Sequence, residues 1–210
     1  MGLACGFILL FAAENTRAQA LNGNYTIGGS NPDFLTITAA VQQLDSVGVS
    51  GPVTFLIRNG TYPEILFIDS VNGASASNTI TFRSESGDSS AVVINGTTTS
   101  VYTKTLWLYY AKYIRFHQVT FRQLPSVHNS AVVFVGRGHN ITLSNCVIWG
   151  HSSSTSSRTI YAVQGACDSN YVVENCVIRG ANEGIVSAGS SFPAQQRPIF
   201  RNNHIFGITT

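Results

Sequence analysis

The sequence predicts an all-β protein: a right-handed, single-stranded parallel β-helix with one capping helix at its N-terminal end. Three observations carry this. Leu143-Ser144-Asn145-Cys146-Val147-Ile148-Trp149-Gly150, Val173-Glu174-Asn175-Cys176-Val177-Ile178-Arg179-Gly180 and Phe200-Arg201-Asn202-Asn203-His204-Ile205-Phe206-Gly207 align without gaps, and Phe116-His117-Gln118-Val119-Thr120-Phe121-Arg122 is a weaker fourth copy. Ile94, Phe121, Ile148, Ile178 and Ile205 then recur at intervals of 27, 27, 30 and 27 residues, about what three short strands and three turns consume. Only one helical pattern occurs, and short β-branched and aromatic runs fill the rest. The 210 residues are 44% hydrophobic and 10% charged, enough apolar surface to demand a core and too little charge for a disordered chain.

The N-terminus comes first. Leu3 to Ala13 is an apolar run, and Ala18-Gln19-Ala20 follows as a small-x-small cleavage pattern, so residues 1–20 read as a secretory signal peptide. The run is shorter than the ~20 apolar residues that a membrane span needs. No Lys or Arg precedes it, and a buried N-terminal strand is the competing reading. Cleavage there removes Cys5 and leaves Cys146, Cys167 and Cys176, an odd number, so at least one thiol stays unpaired or finds a partner outside the chain.

Residues 21–52 are expected to form an opening strand and the capping helix. Ile37, Ala40, Val41, Leu44 and Val47 recur at helical spacing, with Thr36 placed as N-cap and Gly48 after the last turn. Residues 53–210 are expected to form the coils. Strands are predicted at Val53 to Ile57, Ile65 to Ile68, Ile80 to Phe82, Val92 to Ile94, Leu106 to Tyr110 and Ile114 to Phe116, each bounded by Gly, Asn or Ser. Stacked ~4.8 Å apart, such coils place Ile148 against Ile178 and Ile205. Asn145, Asn175 and Asn202 fall at a bend that needs left-handed backbone, which Asn tolerates, and their amides can bond one another. Cys146 and Cys176 share the parity of the isoleucines and should point inward, either as small core residues or as a bridge between coils.

The same register projects Arg122, Trp149, Arg179 and Phe206 outward from one face. Such a stripe suits a sugar ring and its carboxylates, although a solenoid also produces ladders that merely satisfy themselves. In Leu106-Trp107-Leu108-Tyr109-Tyr110 one alternating set is core, and the other forms a second aromatic patch or lies under a loop. Asp168 and Glu183 sit in neighbouring turns, where an acid–base pair could assemble across coils. The Ser-rich stretch His151 to Arg158 is an enlarged turn. The five histidines are dispersed without metal-ligand spacing, so no metal and no cofactor is expected. Twelve Lys+Arg against ten Asp+Glu leave no electrostatic footprint for nucleic acid.

Phe34-Leu35-Thr36-Ile37-Thr38-Ala39-Ala40-Val41, followed by Val53-Thr54-Phe55-Leu56-Ile57 and Gly60-Thr61-Tyr62-Pro63-Glu64, resembles the opening of pectin-lyase-like β-helix proteins, including large secreted bacterial ones. Pectin methylesterases carry a similar F-x-T-I-x-x-A-V helix and G-x-Y-x-E turn. In these families the motif is a capping device, and the resemblance implies the fold, not the chemistry. It does not carry over a catalytic site. The Q-D-T, D-F-I-F-G and L-G-R-P-W motifs of pectin methylesterases are missing. Gly138-His139-Asn140 lacks the final Gly and the partners of a polygalacturonase site, and no strand bears the clustered acids with which pectate lyases hold Ca²⁺. Ile205-Phe206-Gly207 completes a strand and Ile208-Thr209-Thr210 adds no polar cap, so further coils or domains are expected beyond residue 210. The expected protein is an extracellular or cell-surface module that binds polysaccharide or serves as an adhesin-like scaffold. The alternative is the N-terminal part of a lyase, glycoside hydrolase or pectinesterase-like enzyme acting on acidic glycans.

Overall fold

Alternation of apolar and polar residues over three to nine positions produces strands, and one lap of the chain returns each strand beside its predecessor. In the computed structural model, which describes residues 19–96, 104–123, 131–151, 157–164, 170–189 and 198–208, eighteen strands form three parallel sheets. The first sheet contains β1 (Leu21–Ile27), β2 (Val49–Ile57), β5 (Ile80–Ser84), β8 (Ile114–His117), β11 (Thr142–Ser144), β14 (Val172–Glu174) and β17 (Ile199–Arg201), in that order. The second stacks β3 (Gly60–Tyr62), β6 (Val92–Gly96), β9 (Thr120–Gln123), β12 (Val147–Trp149), β15 (Val177–Arg179) and β18 (His204–Phe206). The third stacks β4 (Leu66–Ile68), β7 (Lys104–Tyr109), β10 (Ala131–Gly136), β13 (Arg158–Gln164) and β16 (Glu183–Gly189). The chain visits the sheets in rotation, so the solenoid is the expected right-handed parallel β-helix of about six coils.

The register is the one read from the repeats. Ile94 pairs with Phe121, Phe121 with Ile148, Ile148 with Ile178, and Ile178 with Ile205. Inside the first sheet Phe55, Phe82 and Phe116 stack nearly parallel, at centroid distances of 4.7 and 5.0 Å. Asn145, Asn175 and Asn202 turn the chain with φ of 52°, 52° and 53°, and Gln118, their counterpart in the weaker copy, has φ 54°. The Asn145 amide nitrogen lies 3.4 Å from His117 Nδ1 on the neighbouring coil rather than bonding the next Asn. Cys146 and Cys176 point inward as free, buried, hydrogen-bonded thiols. Burial pushes the Cys146 thiol up, and the hydrogen bond from Cys146 pulls Cys176 down. Cys5 and Cys167 lie outside the described residues.

Helix α1 (Ile37–Val47) stands between β1 and β2, where a full coil would supply strands of the second and third sheets. It buries Ile37, Ala40, Val41 and Leu44 and covers the end of the core against β1 and β4. Thr36 Oγ1 accepts from the Ala39 amide at 3.1 Å. Glu64 arrives from the turn after β3 and accepts from the Ile37 and Thr38 amides, at 3.2 and 2.6 Å, and from Thr38 Oγ1 at 2.6 Å. The carboxylate thus meets the orphan donors and the positive end of the helix together. Tyr62 Oη donates to the Arg58 carbonyl at 2.7 Å, so the two residues of the G-x-Y-x-E turn are a fold device. Gly48 ends the helix at φ 67°, where a Cβ would lie 2.5 Å from the Asn72 carbonyl oxygen. Among the described residues no helix is long and apolar enough to cross a membrane.

Candidate functional site

With the core side of each strand filled, chemistry is left to the outer rows, where residues one lap apart become vertical neighbours. On the second sheet Arg122 pairs with Trp149, Trp149 with Arg179 and Arg179 with Phe206, so the stripe expected from the repeats is assembled. Its side chains engage one another. The Arg122 and Arg179 guanidinium carbons lie 4.6 and 4.1 Å from the Trp149 ring centroid, on coils to either side of it. Arg179 also lies 5.9 Å from the Phe206 ring. Each such contact is worth about 0.5–1 kcal/mol at an exposed site. Both faces of the indole are therefore taken by guanidinium groups, and its edge, with exposed Arg122 and the 41%-exposed Phe206, is what the ladder presents outward.

A longer aromatic row runs up the outside of the third sheet. Leu66 and Ile68 point inward from β4, and Leu106 and Leu108 from β7, which turns Phe67 and Trp107 outward. The register aligns Phe67 with Trp107, Trp107 with Phe134, and Phe134 with Tyr161. Successive ring centroids are 5.7, 5.4 and 5.9 Å apart, at tilts of 72°, 69° and 57°. Edge-to-face contact of this kind fixes the rings without covering all of their faces. Phe67 is 46% exposed, and the other three are half-buried. Gly136, opposite Tyr109, makes room: a Cβ there would lie 2.8 Å from the Phe134 ring and 2.9 Å from the Tyr109 ring.

Two cations flank the row. Lys104 Nζ sits 3.9 Å from the Trp107 centroid and 5.0 Å from that of Phe134, and burial against the rings holds its pKa below the ordinary lysine value. The Arg158 guanidinium lies 4.5 Å from the Tyr161 ring, and its Nε is 2.6 Å from Glu183 Oε2. Glu183 is thus placed at the upper end of the row as an ion partner, while Asp168 lies outside the described residues. Rings with partly open faces and fixed cations suit a ligand that offers C–H surface together with hydroxyl or carboxylate oxygens. The sequence leaves Trp107 and Tyr109 as the core set, a second aromatic patch or a row under a loop. Phe134 and Tyr161 are not marked by that pattern, although Trp107, Phe134 and Tyr161 recur at 27-residue intervals. Phe67 lies 40 residues before Trp107, and no fixed interval could have found it.

The remaining acids occupy other places. Asp45, on the outer side of α1, is raised above the ordinary aspartate value, first by burial and then by the neighbouring Asp69 charge. Asp33 is lowered by hydrogen bonds from the Thr26 amide and hydroxyl. Among the described residues no three His, Cys, Asp or Glu side chains gather as a metal-binding group.

No protein-family model matches the chain, and no curated protein matches it in sequence. Its architecture is similar to that of a pectin methylesterase variant crystallised in complex with a hexasaccharide. The TM-score is 0.52 and the identity 16%, over 90% of this chain and 82% of that one. A pectin methylesterase from Aspergillus niger in deglycosylated form is a looser match, at TM-score 0.42 and 17% identity, over 91% of this chain and 88% of that one. At 16% identity the likeness to the first of these is one of fold, and it agrees with the resemblance of the opening motif.

Proposed function

We propose that the chain is an extracellular, polysaccharide-binding β-helix module whose ligand lies along the outer face of the third sheet. The observation that carries this reading is the row Phe67, Trp107, Phe134 and Tyr161, flanked by Lys104 and Arg158. Four rings at a coil spacing of ~4.8 Å extend over about 14 Å, a track for several consecutive sugars rather than a pocket for one. The cations favour glycans that carry carboxylates. The ladder of Arg122, Trp149, Arg179 and Phe206 serves as a flanking contact through its edges. The saccharide-bound pectin methylesterase of like fold supports the ligand class, and the leader-like residues 1–20 support export.

Retention on immobilised acidic and neutral polysaccharides tests the reading. Trp107→Ala and Phe134→Ala should weaken retention about tenfold or more, while Trp149→Ala has a smaller effect. Unchanged retention of both third-sheet variants on every glycan that binds the parent protein would overturn it. One observation favours an enzymatic alternative: Lys104, with its lowered pKa, is closer to acting as a proton acceptor at neutral pH than an ordinary lysine. A lyase would release unsaturated, ultraviolet-absorbing products from an acidic glycan and lose that activity in Lys104→Ala. A binding module releases none.

A further inference from the structure

The outer face of the first sheet, a different side of the solenoid, carries a groove that neither aromatic row explains. Its volume is about 330 Å³, within the usual ~300–1,000 Å³ of small-ligand sites, and Thr79, Tyr113, Arg115, Asn140, Thr142 and Asn170 line it. We propose that this groove is a second saccharide site, specific for an anionic sugar unit, with Arg115 as the anion-binding residue.

The backbone organises the site. Tyr113, Asn140 and Asn170 occupy the corner before β8, β11 and β14 on three successive coils, and all are left-handed, with φ of 57°, 54° and 59°. Equivalent corners present their side chains at equivalent places, so the Asn140 and Asn170 amides repeat at the coil rise of ~4.8 Å. Two residues farther on, Arg115 pairs with Thr142 and Thr142 with Val172. The groove therefore has an amide rail along one side and a row of cation, hydroxyl and aliphatic groups along the other. Tyr113 is held edge-on against His139 at 5.8 Å and 81°, which fixes its ring at one end.

Charge selects the ligand. Neighbouring ionic groups on this sheet have partners within the fold, Arg83 through its Nε and the Ser84 carbonyl at 3.3 Å. Glu174 is bound by Arg201 at 2.5 Å, and His117 Nδ1 lies 2.8 Å from Ser144 Oγ. Arg115 is exposed and, among the described residues, makes no hydrogen bond or ion pair, so its planar fork of donors is free for a carboxylate or sulfate. Amides and hydroxyls supply both donors and acceptors, which sugar hydroxyls require and a bare inorganic anion does not. The repeat along the solenoid axis matches a ligand that itself repeats, one sugar to a coil.

Calorimetric titration with three trisaccharides of equal length, one carboxylated, one sulfated and one neutral, tests the site in the full chain. In Trp107→Ala, which weakens the third-sheet row, an anionic trisaccharide should still bind at the groove. Adding Arg115→Ala to that background should weaken this remaining binding at least tenfold, with Arg115→Lys in between, and added salt should weaken it as well. Asn140→Gly, which keeps the left-handed corner and removes the amide, should weaken binding several-fold at an unchanged melting temperature. Response to the carboxylated or to the sulfated ligand identifies the anion, and either supports the proposal. Three results overturn it: no parental binding of either anion, unchanged affinity on adding Arg115→Ala to Trp107→Ala, or equal binding of the neutral trisaccharide. Loss of binding in Trp107→Ala alone would also remove this site while leaving the third-sheet reading intact.

Discussion

Ile148 and Val147 are neighbours in β12, yet the stack treats them differently. Ile148 is fully buried between Phe121 and Ile178, while Val147 lies half-buried on the outer row. Truncating Ile148 to alanine removes three carbons, about 2.4 kcal/mol of transfer free energy at ~0.8 kcal/mol each. The neighbouring coils cannot close the gap fully. A residual cavity of roughly 70 Å³ at ~24 cal/mol per Å³ adds about 1.7 kcal/mol, for a total near 4 kcal/mol. At Val147 alanine removes two carbons from a half-buried site and no closed cavity forms, so the cost is about 1 kcal/mol. At roughly 2–4 °C per kcal/mol for a domain of this size, Ile148→Ala should lower the melting temperature by roughly 8–16 °C and Val147→Ala by about 2–4 °C. Urea and thermal melts followed by far-ultraviolet circular dichroism measure both. Equal costs at the two positions would refute the stacking from which the magnitudes are worked.

Glu64→Ala should cost about 1–2 kcal/mol, because it strands the Ile37 and Thr38 amides at the helix N-terminus, and amide hydrogen exchange should accelerate within α1 before the coils are affected. Asp45→Asn should raise the melting temperature at pH 7 and leave it unchanged at pH 3. The folded-state pKa of Asp45 is raised, so its favourable contribution is complete below the unfolded value near 3.9 and is lost as pH rises through the folded value. A melting-temperature gain in Asp45→Asn that is equal at both pH values would contradict this assignment.

The parts of the fold that were legible in the sequence are those the backbone repeats. Ile148, Ile178 and Ile205 announce the coil because every lap must fill the same inward site, and Asn145, Asn175 and Asn202 announce the bend because few side chains tolerate φ near 52°. The capping helix was legible from its spacing, but the role of Glu64 was not: the carboxylate finds the helix 26 and 27 residues away, a contact that only the closed coil creates. The stripe of Arg122, Trp149, Arg179 and Phe206 was placed correctly from parity alone. That the guanidinium groups would close over the Trp149 faces depends on side-chain reach, which periodicity does not encode. The third-sheet row was half legible, because its lower interval is stretched to 40 residues while its upper two are regular. Glu183 could be placed in a coil, but its engagement by Arg158 follows from neighbouring β13 and β16.

The chain's two tryptophans allow the proposed binding face to be read directly. Trp107 belongs to the third-sheet row, between Phe67 and Phe134, and Trp149 lies between Arg122 and Arg179 on the second sheet. Fluorescence titration of Trp149→Phe and Trp107→Phe with an acidic oligosaccharide isolates each indole in turn. The proposed function predicts a saturable change in Trp149→Phe, where Trp107 is the sole reporter, and little change in Trp107→Phe. A saturable response confined to Trp107→Phe would move the ligand to the second sheet and contradict the proposal.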